Sequence, residues 1–338
     1  MWLGFDIGAT KLAVVVGDAA GRIAARRRRP IQATGNPRAD FEAMLRDAHE
    51  LLAEARVAPA DLLGVGVAAP GPIDFARGVV QSPPNLPGWD AVPIAAWFAA
   101  AFAAPVHLEN DANAAALAES RFGAGRGVRH LVYLTMSTGV GAGLVLDGRL
   151  YRGSGGAGEV GHMPVEWGGE RCGCGRRGCL EAYVGGRRWS ERLARETPAS
   201  SRVAALAGGA AHARPEHVVA AAREGDAFAR SELERWNHYL ARGLTVLSYV
   251  LAPEVFVLGT IATAAGDALC LDPLRRALAA QVWPELVRGT EIRASALGAE
   301  GAFYAALCAA FEATGKEGEK GTDLISHRRG KMNPVTGK

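Results

Sequence analysis

A chain of 338 residues, 49% apolar and 22% charged, has the composition of a folded protein and is long enough for two cores. A net charge of +3 gives no electrostatic case for binding nucleic acid, and five cysteines at this length do not make a disulfide scaffold. Asp6 and Lys11 interrupt the first apolar stretch, and the longest one, Ala91 to Val106, carries Pro93 and Pro105, so the reading is a cytoplasmic protein with no signal peptide and no membrane span.

In chain order, Trp2 to Asp6 reads as a strand ending in Asp6-Ile7-Gly8-Ala9-Thr10-Lys11. Leu12 to Val16 returns, and Arg22 to Arg27 adds a third strand whose basic run, Arg26 to Arg29, is expected as a solvated strand end. Apolar spacing at Phe41, Met44, Leu45, Leu51 and Leu52 predicts a helix over Arg38 to Ala55. Leu62 to Ala68 is a buried strand ending at Ala69-Pro70-Gly71-Pro72. A loop at Asn85 to Trp89 leads into an alanine-rich helix. Val106 to Leu108 is a short strand, and Glu109-Asn110-Asp111 opens a helix over Ala112 to Phe122. The opening pattern then recurs. Leu131 to Thr135 is a strand, Ser137 to Gly143 a glycine turn, and Leu144 to Leu146 returns through Asp147-Gly148 to Arg149. Helices follow near 186–196, 215–224 and 226–250. A strand at Val255 to Leu258, a helix from Gly266 to Gln281, a strand near Ile292 and a helix from Ala299 to Glu312 complete the series. Strands alternating with helices argue for α/β layers, and the repeated unit for two similar domains facing across a cleft. Residues 1–315 contain 31 arginines and one lysine, whereas 316–338 contain four lysines, so that segment reads as a polar tail outside the packed domains.

Three constellations carry chemistry. A tight turn after a strand aims backbone N–H groups in one direction, and glycine lets an anion approach them. Either turn alone is compatible with an ordinary hairpin; their recurrence in both halves is what points to phosphate. Thr10 and Thr138 add hydroxyl donors, and Asp6 offers a carboxylate for a hydrated magnesium ion. Asp111 suits an N-cap. It also follows a short buried strand, where α/β proteins bind ligands, and can take a proton from a hydroxyl attacking phosphorus. Finally, His162-x9-Cys172-x-Cys174-x4-Cys179 can close a tetrahedral Cys3His zinc site, with no open position and therefore a structural role.

These residues resemble the ROK family of sugar kinases and sugar-responsive repressors from Trp2 to about Glu312. The likeness is most specific in Gly158-Glu159-Val160-Gly161-His162 and in Cys172-Gly173-Cys174-Gly175-Arg176-Arg177-Gly178-Cys179-Leu180-Glu181. The resemblance implies an actin-like ATPase (ribonuclease H-like) fold with a ligand cleft and a zinc-bound loop over 158–181. Its small domain would span 1–118, completed by a helix near 299–313, and its large domain 119–298. It implies Asp111 as general base. Gly71, Asn110, Glu159, His162 and Glu181 would be sugar ligands, His162 also holding zinc. Asp6, Gly8, Thr10, Lys11, Thr138, Gly139 and Gly259 would lie at ATP and magnesium. Ser137-Thr138-Gly139-Val140-Gly141 is similar to the motif of the family's bacterial glucokinases. The implied substrate is thus glucose, with N-acetylglucosamine or N-acetylmannosamine as alternatives, and the implied assembly a homodimer. Repressor members carry a DNA-binding domain ahead of the first phosphate motif, which here starts at residue 6; a non-catalytic sugar-binding regulator is the other class of function. The chain departs from the family at Leu258-Gly259-Thr260-Ile261-Ala262-Thr263, where a glycine-rich adenosine turn is usual. β-Branched residues resist positive φ, so this turn is expected to take another path and to discriminate weakly among nucleotide donors.

Overall fold

The computed structural model describes residues 1–8, 10–31, 34–83 and 86–314; the expected tail lies outside them, as does Asn85. The first sheet begins with strands β1 (Trp2–Ile7), β2 (Lys11–Gly17) and β3 (Ile23–Pro30). Helix α1 (Pro37–Glu54) follows, capped by the Asn36 side chain on the N–H groups of Arg38 and Ala39. Strand β4 (Gly64–Ala69) is buried along its length; the short pair β5 (Ile73–Asp74) and β6 (Val79–Val80) and helix α2 (Ile94–Phe102) lead to β7 (Val106–Asn110). The order β3-β2-β1-β4-β7 has β1, β4 and β7 parallel and two antiparallel strands outside them.

Helix α3 (Asp111–Phe122) crosses to a second sheet, β8 (Leu131–Met136), β9 (Val140–Leu146) and β10 (Arg149–Leu150). Five helices follow: α4 (Leu180–Val184), α5 (Gly186–Glu196), α6 (Arg202–Ala207), α7 (Pro215–Arg223) and the long α8 (Ala227–Leu251). Strand β11 (Val255–Thr260), helix α9 (Ile261–Gly266), a π-helical turn (Asp267–Leu271), helices α10 (Asp272–Gln281) and α11 (Pro284–Val287) and strand β12 (Glu291–Ala294) complete the second half. Its sheet, β10-β9-β8-β11-β12, repeats the first one's arrangement, with β8, β11 and β12 parallel. The last helix, α12 (Gly301–Glu312), packs on β1, β4 and α3, while α3 packs on β8 and β9. Two helices therefore lie between the sheets, in contact through Ala114, Ala118, Ala306, Ala309 and Ala310 of one alanine-rich core. The α/β fold expected from the alternating pattern is the one found.

Three local expectations need correction. The glycine turn is only Ser137 to Gly139, because Val140 to Gly143 already pair with Met136 to Tyr133. Helix α6 was not expected; six residues are too few to show a period. The basic run closes β3 with Arg26 and Arg28 exposed, as a solvated strand end does, but the strand runs on to Pro30 instead of stopping at Arg27. Arg27 and Arg29 reach Asp47 on α1, at 2.6 Å for Arg29, while Arg26 pairs with Glu300 and Arg28 lies 4.7 Å over the Phe303 ring.

Candidate active site and metal centre

Parallel strands end at one edge of a sheet, and this rule places most of the candidate residues. Asp6 stands near the end of β1, Gly71 just past β4, and Asn110 and Asp111 at the junction of β7 and α3. Asn110 caps α3: its Oδ1 accepts from the N–H groups of Ala112 (3.0 Å) and Asn113 (3.3 Å). The amide's nitrogen is thereby turned toward Gly71, where an added Cβ would lie 3.6 Å from it. Asp111 accepts the Ala112 N–H through Oδ1 at 2.8 Å.

Asp111 is exposed as a residue, yet neighbouring protein crowds its carboxyl. Burial pushes its carboxyl up to about 6; the charge of Glu159 adds to the rise, and the Ala112 N–H opposes it. Asp6 is pushed up to about 7 by burial first and by the facing Asp111 second, with Arg28 opposing. A carboxylate hindered by a second one beside it makes a place for a cation, and Asp6 stands where β1 runs into the first glycine turn.

In that turn the N–H of Gly8 donates to the Lys11 carbonyl at 2.9 Å, and Ile31 donates to the carbonyl of Thr10 at 3.0 Å, holding the turn against the end of β3. Thr10 and Lys11 are exposed. On the second sheet Thr138 is exposed beside Gly139, whose lack of a side chain is required: a Cβ there would stand 2.4 Å from Glu181 Oε2. Glu181 accepts the Val140 N–H at 3.0 Å, fastening the second turn to the start of α4.

Thr138 opens onto a cavity of 570 Å³ between the end of β8 and helices α5, α7 and α9, walled by Arg187, Arg214, Val219, Thr260 and Ile261 among others. Gly259 lies within β11 and is absent from that wall; Tyr133 Oη occupies the space above it. At the late turn the positive φ falls on Thr260, and Ile261 avoids it as expected. Thr260 adopts φ +50 and ψ −109, a region favoured by glycine, while Ile261 begins α9. The Thr260 hydroxyl donates to the Met136 carbonyl, which ties the strained residue to the neighbouring strand.

The metal-binding expectation has direct geometry. One ligand atom from each of His162, Cys172, Cys174 and Cys179 lies within 4.8 Å of all the others. Cys174 and Cys179 sulfurs are 3.8 Å apart, and His162 Nδ1 is 3.7 Å from Cys172 Sγ. A zinc–sulfur bond of about 2.3 Å sets tetrahedral edges of about 3.8 Å, so these atoms stand where such an ion needs them. Burial first and the neighbouring cysteines next push the Cys172 thiol up to about 12. Since Nδ1 faces the sulfurs, Nε2 is left to look elsewhere. Glu159 precedes this histidine as the residue before a tight 3-10 turn, Val160–His162.

Sequence reasoning missed three arginines: Arg187 and Arg214 in the cavity wall, and Arg152, whose guanidinium reaches the buried Glu109. The latter pair is separated by 43 residues, beyond any local pattern. Asn113 was also missed: it sits on the first turn of α3 and reaches back to Glu109 in β7, a strand-to-helix contact with no local period.

The family model described as ROK matches residues 2–310. A glucokinase of Thermotoga maritima is 41% identical over 69% of this chain and 74% of its own length. A xylose repressor of Bacillus spizizenii is 27% identical over 88% of this chain and 73% of its own. Among solved structures, a ROK family glucokinase from Streptomyces griseus in complex with glucose and AMPPNP superposes with a TM-score of 0.74 at 32% identity, covering 92% of this chain and 99% of that one.

Proposed function

The chain belongs to the ROK family, and on that premise we propose that it is a hexose kinase that moves the γ-phosphoryl group of ATP to the 6-hydroxyl of glucose. The observation that carries this reading is Asp111: a carboxylate on the first residue of α3, directly after β7, pushed up to about 6 by burial and by Glu159. A base with that affinity takes the proton of the 6-hydroxyl as its oxygen bonds to the γ-phosphorus, and the bond from phosphorus to the bridging oxygen of ADP breaks. Asn110 Nδ2, Glu159, Glu181 and His162 Nε2 are the sugar ligands, with Gly71 leaving room for the ring. Thr10 with Gly8 and Lys11, and Thr138 with Gly139, take the phosphates; the 570 Å³ cavity takes the nucleoside. Gly259 supports that cavity from within β11 instead of touching it. Asp6 is the ligand for magnesium, which when bound offsets phosphate charge. The three thiolates and His162 hold a structural zinc ion that shapes 158–181 and orients the imidazole.

The division into lobes at 118 and 298, a cytoplasmic setting and a homodimer belong to the same proposal. No helix among the described residues is long and apolar enough to cross a membrane. Val246, Tyr249 and Val250 on α8 and the nearby Trp283 are exposed apolar side chains that suit a second copy.

The test is ADP release over a panel containing glucose, N-acetylglucosamine and N-acetylmannosamine, together with hexose binding by calorimetry. Turnover with glucose as the preferred substrate is expected. Turnover favouring an N-acetylhexosamine moves the substrate. Tight hexose binding with no ADP release by the intact protein replaces the kinase with a sugar-binding regulator, the class represented by the xylose repressor relative.

A further inference from the structure

Glu109 is wholly buried near the end of β7, among donors that favour its ionised form. Burial alone would raise its pKa; the His107 hydrogen bond, the Arg152 charge and Asn113 together hold it below the usual carboxylate range. Its acceptor capacity is filled from two directions. Oε1 takes the backbone N–H of Asn110 at 3.0 Å and the Asn113 side-chain amide at 2.9 Å. Oε2 takes Arg152 through Nε at 2.8 Å and through its terminal nitrogen at 2.6 Å, with His107 Nε2 at 3.1 Å.

The two sets of donors belong to different parts of the site. Asn110 and Asn113 flank Asp111 on the first turn of α3. Arg152 opens the glycine-rich strap between β10 and Glu159, and its carbonyl accepts from Gly155 (2.8 Å) and Ala157 (3.2 Å), closing the strap's turn. Gly153, Gly155 and Gly158 all have positive φ, so little in the strap's own backbone prevents other paths. Asn113 Oδ1 faces Gly158, 3.8 Å from where a Cβ would be. Arg152 continues to Glu312 of α12 at 3.3 Å, and Glu312 also holds Arg121 of α3 at 3.0 Å.

We propose that Glu109 and Arg152 are positioning residues: one ionic joint that sets the general base and the loop carrying Glu159 at a fixed separation, and so tunes the sugar half of the site alone. A buried ion pair adds little net stability over a well-packed apolar pair of the same size. What a guanidinium giving two N–H groups to one carboxylate oxygen supplies is direction, which a strap with glycine at 153, 155, 156 and 158 lacks. The joint touches neither Thr138 nor the cavity beyond it, so nucleotide affinity lies outside its reach.

The inference rests on the kinase reading for its kinetic half, and the experiment separates the two. In full-length protein, Arg152→Gln, Arg152→Lys and Glu109→Gln are compared with the parent chain by hydrogen exchange and by kinetics with glucose and MgATP. Amides of 153–159 are expected to exchange at least tenfold faster in Arg152→Gln, with β8 and β11 unchanged. KM for glucose should rise about tenfold or more, KM for ATP should stay within threefold, and Arg152→Lys should recover part of the loss by keeping the charge. Unchanged exchange in the strap overturns the joint, as does an equal rise in both KM values. Faster exchange in a chain whose parent form phosphorylates no hexose leaves the joint standing and removes the kinase reading.

Discussion

At the scale of single residues, Asp111 and Thr260 each make a measurable claim. The base must be ionised to accept a proton, and its pKa is raised to about 6, so the competent form exists above that pH and is lost below it. kcat/KM for the hexose is therefore expected to climb with pH through about 6, with activity at pH 5 about tenfold below the plateau. Asp111→Asn should lie about 10²–10⁴ lower with that limb gone, while hexose binding measured by calorimetry stays within a few fold. An ascending limb that survives in the variant would assign it to another group. Thr260 holds a conformation suited to glycine, at a strain of about 1–3 kcal/mol, in the wall of the cavity proposed for the nucleoside. Thr260→Gly should relax the turn and lower KM for ATP about threefold to tenfold, leaving KM for the sugar unchanged, and the parent chain should use ATP and GTP with specificity constants within about tenfold. A donor titration at saturating hexose checks both; a hundredfold preference for ATP in the parent chain would mean that the nucleoside is read by other walls, such as Arg187 or Arg214. From sequence, Thr260 was visible as a departure but its φ was not. The hydroxyl bond to Met136 that holds the turn depends on two strands meeting in register, which only the folded sheet supplies.

At the scale of elements, long periodic segments were legible: α1, α3, α8 and the strands of both sheets fall within a few residues of where apolar spacing put them. The misreadings came where composition and geometry part. Glycines after Ser137 suggested a long turn, yet Gly141 and Gly143 sit in β9 because α3 packs close against them, 3.0 Å from Ala112 Cβ and 2.5 Å from Ala116 Cβ at the built Cβ positions. The metal loop was legible because ligand spacing is a chemical signature independent of any period. That loop has few apolar residues of its own, so the ion should decide whether it folds. Metal analysis is expected to give one zinc per chain. Cys174→Ser should lose the metal and weaken hexose binding at least tenfold, since His162 and Glu159 lose their placement. The apparent binding energy of structural zinc, about 10–16 kcal/mol in small peptides, is ample for this. Metal-free protein that binds hexose as tightly as the parent would detach the loop's shape from the ion.

At the scale of the molecule, among the described residues the two sheets are bridged by α3 and α12, and little in the sequence marked that joint. Alanines dominate it, and alanine carries too weak a hydrophobic signal to mark which face of a helix is buried. The joint lets backbones approach closely. A Cβ built on Gly66 of β4 would stand 2.0 Å from the Ala310 nitrogen and 2.5 Å from the Ala309 carbonyl carbon, both main-chain atoms that cannot rotate aside. Gly66→Ala must therefore push α12 off the first sheet. Overpacking of this kind costs about 1–3 kcal/mol, which in a lobe of this size lowers the melting temperature by about 2–4 °C per kcal/mol. The displacement should not stop at stability. Glu312 at the end of α12 holds both Arg121 and Arg152, so a shifted helix pulls on the strap that leads to Glu159 while leaving the zinc ligands in place. The variant is expected to melt earlier, to retain its zinc and to show a raised KM for the hexose; calorimetry, metal analysis and kinetics on one preparation decide it. Lower stability with an unchanged KM would mean that α12 supports the first sheet without setting the relation between the two halves of the cleft.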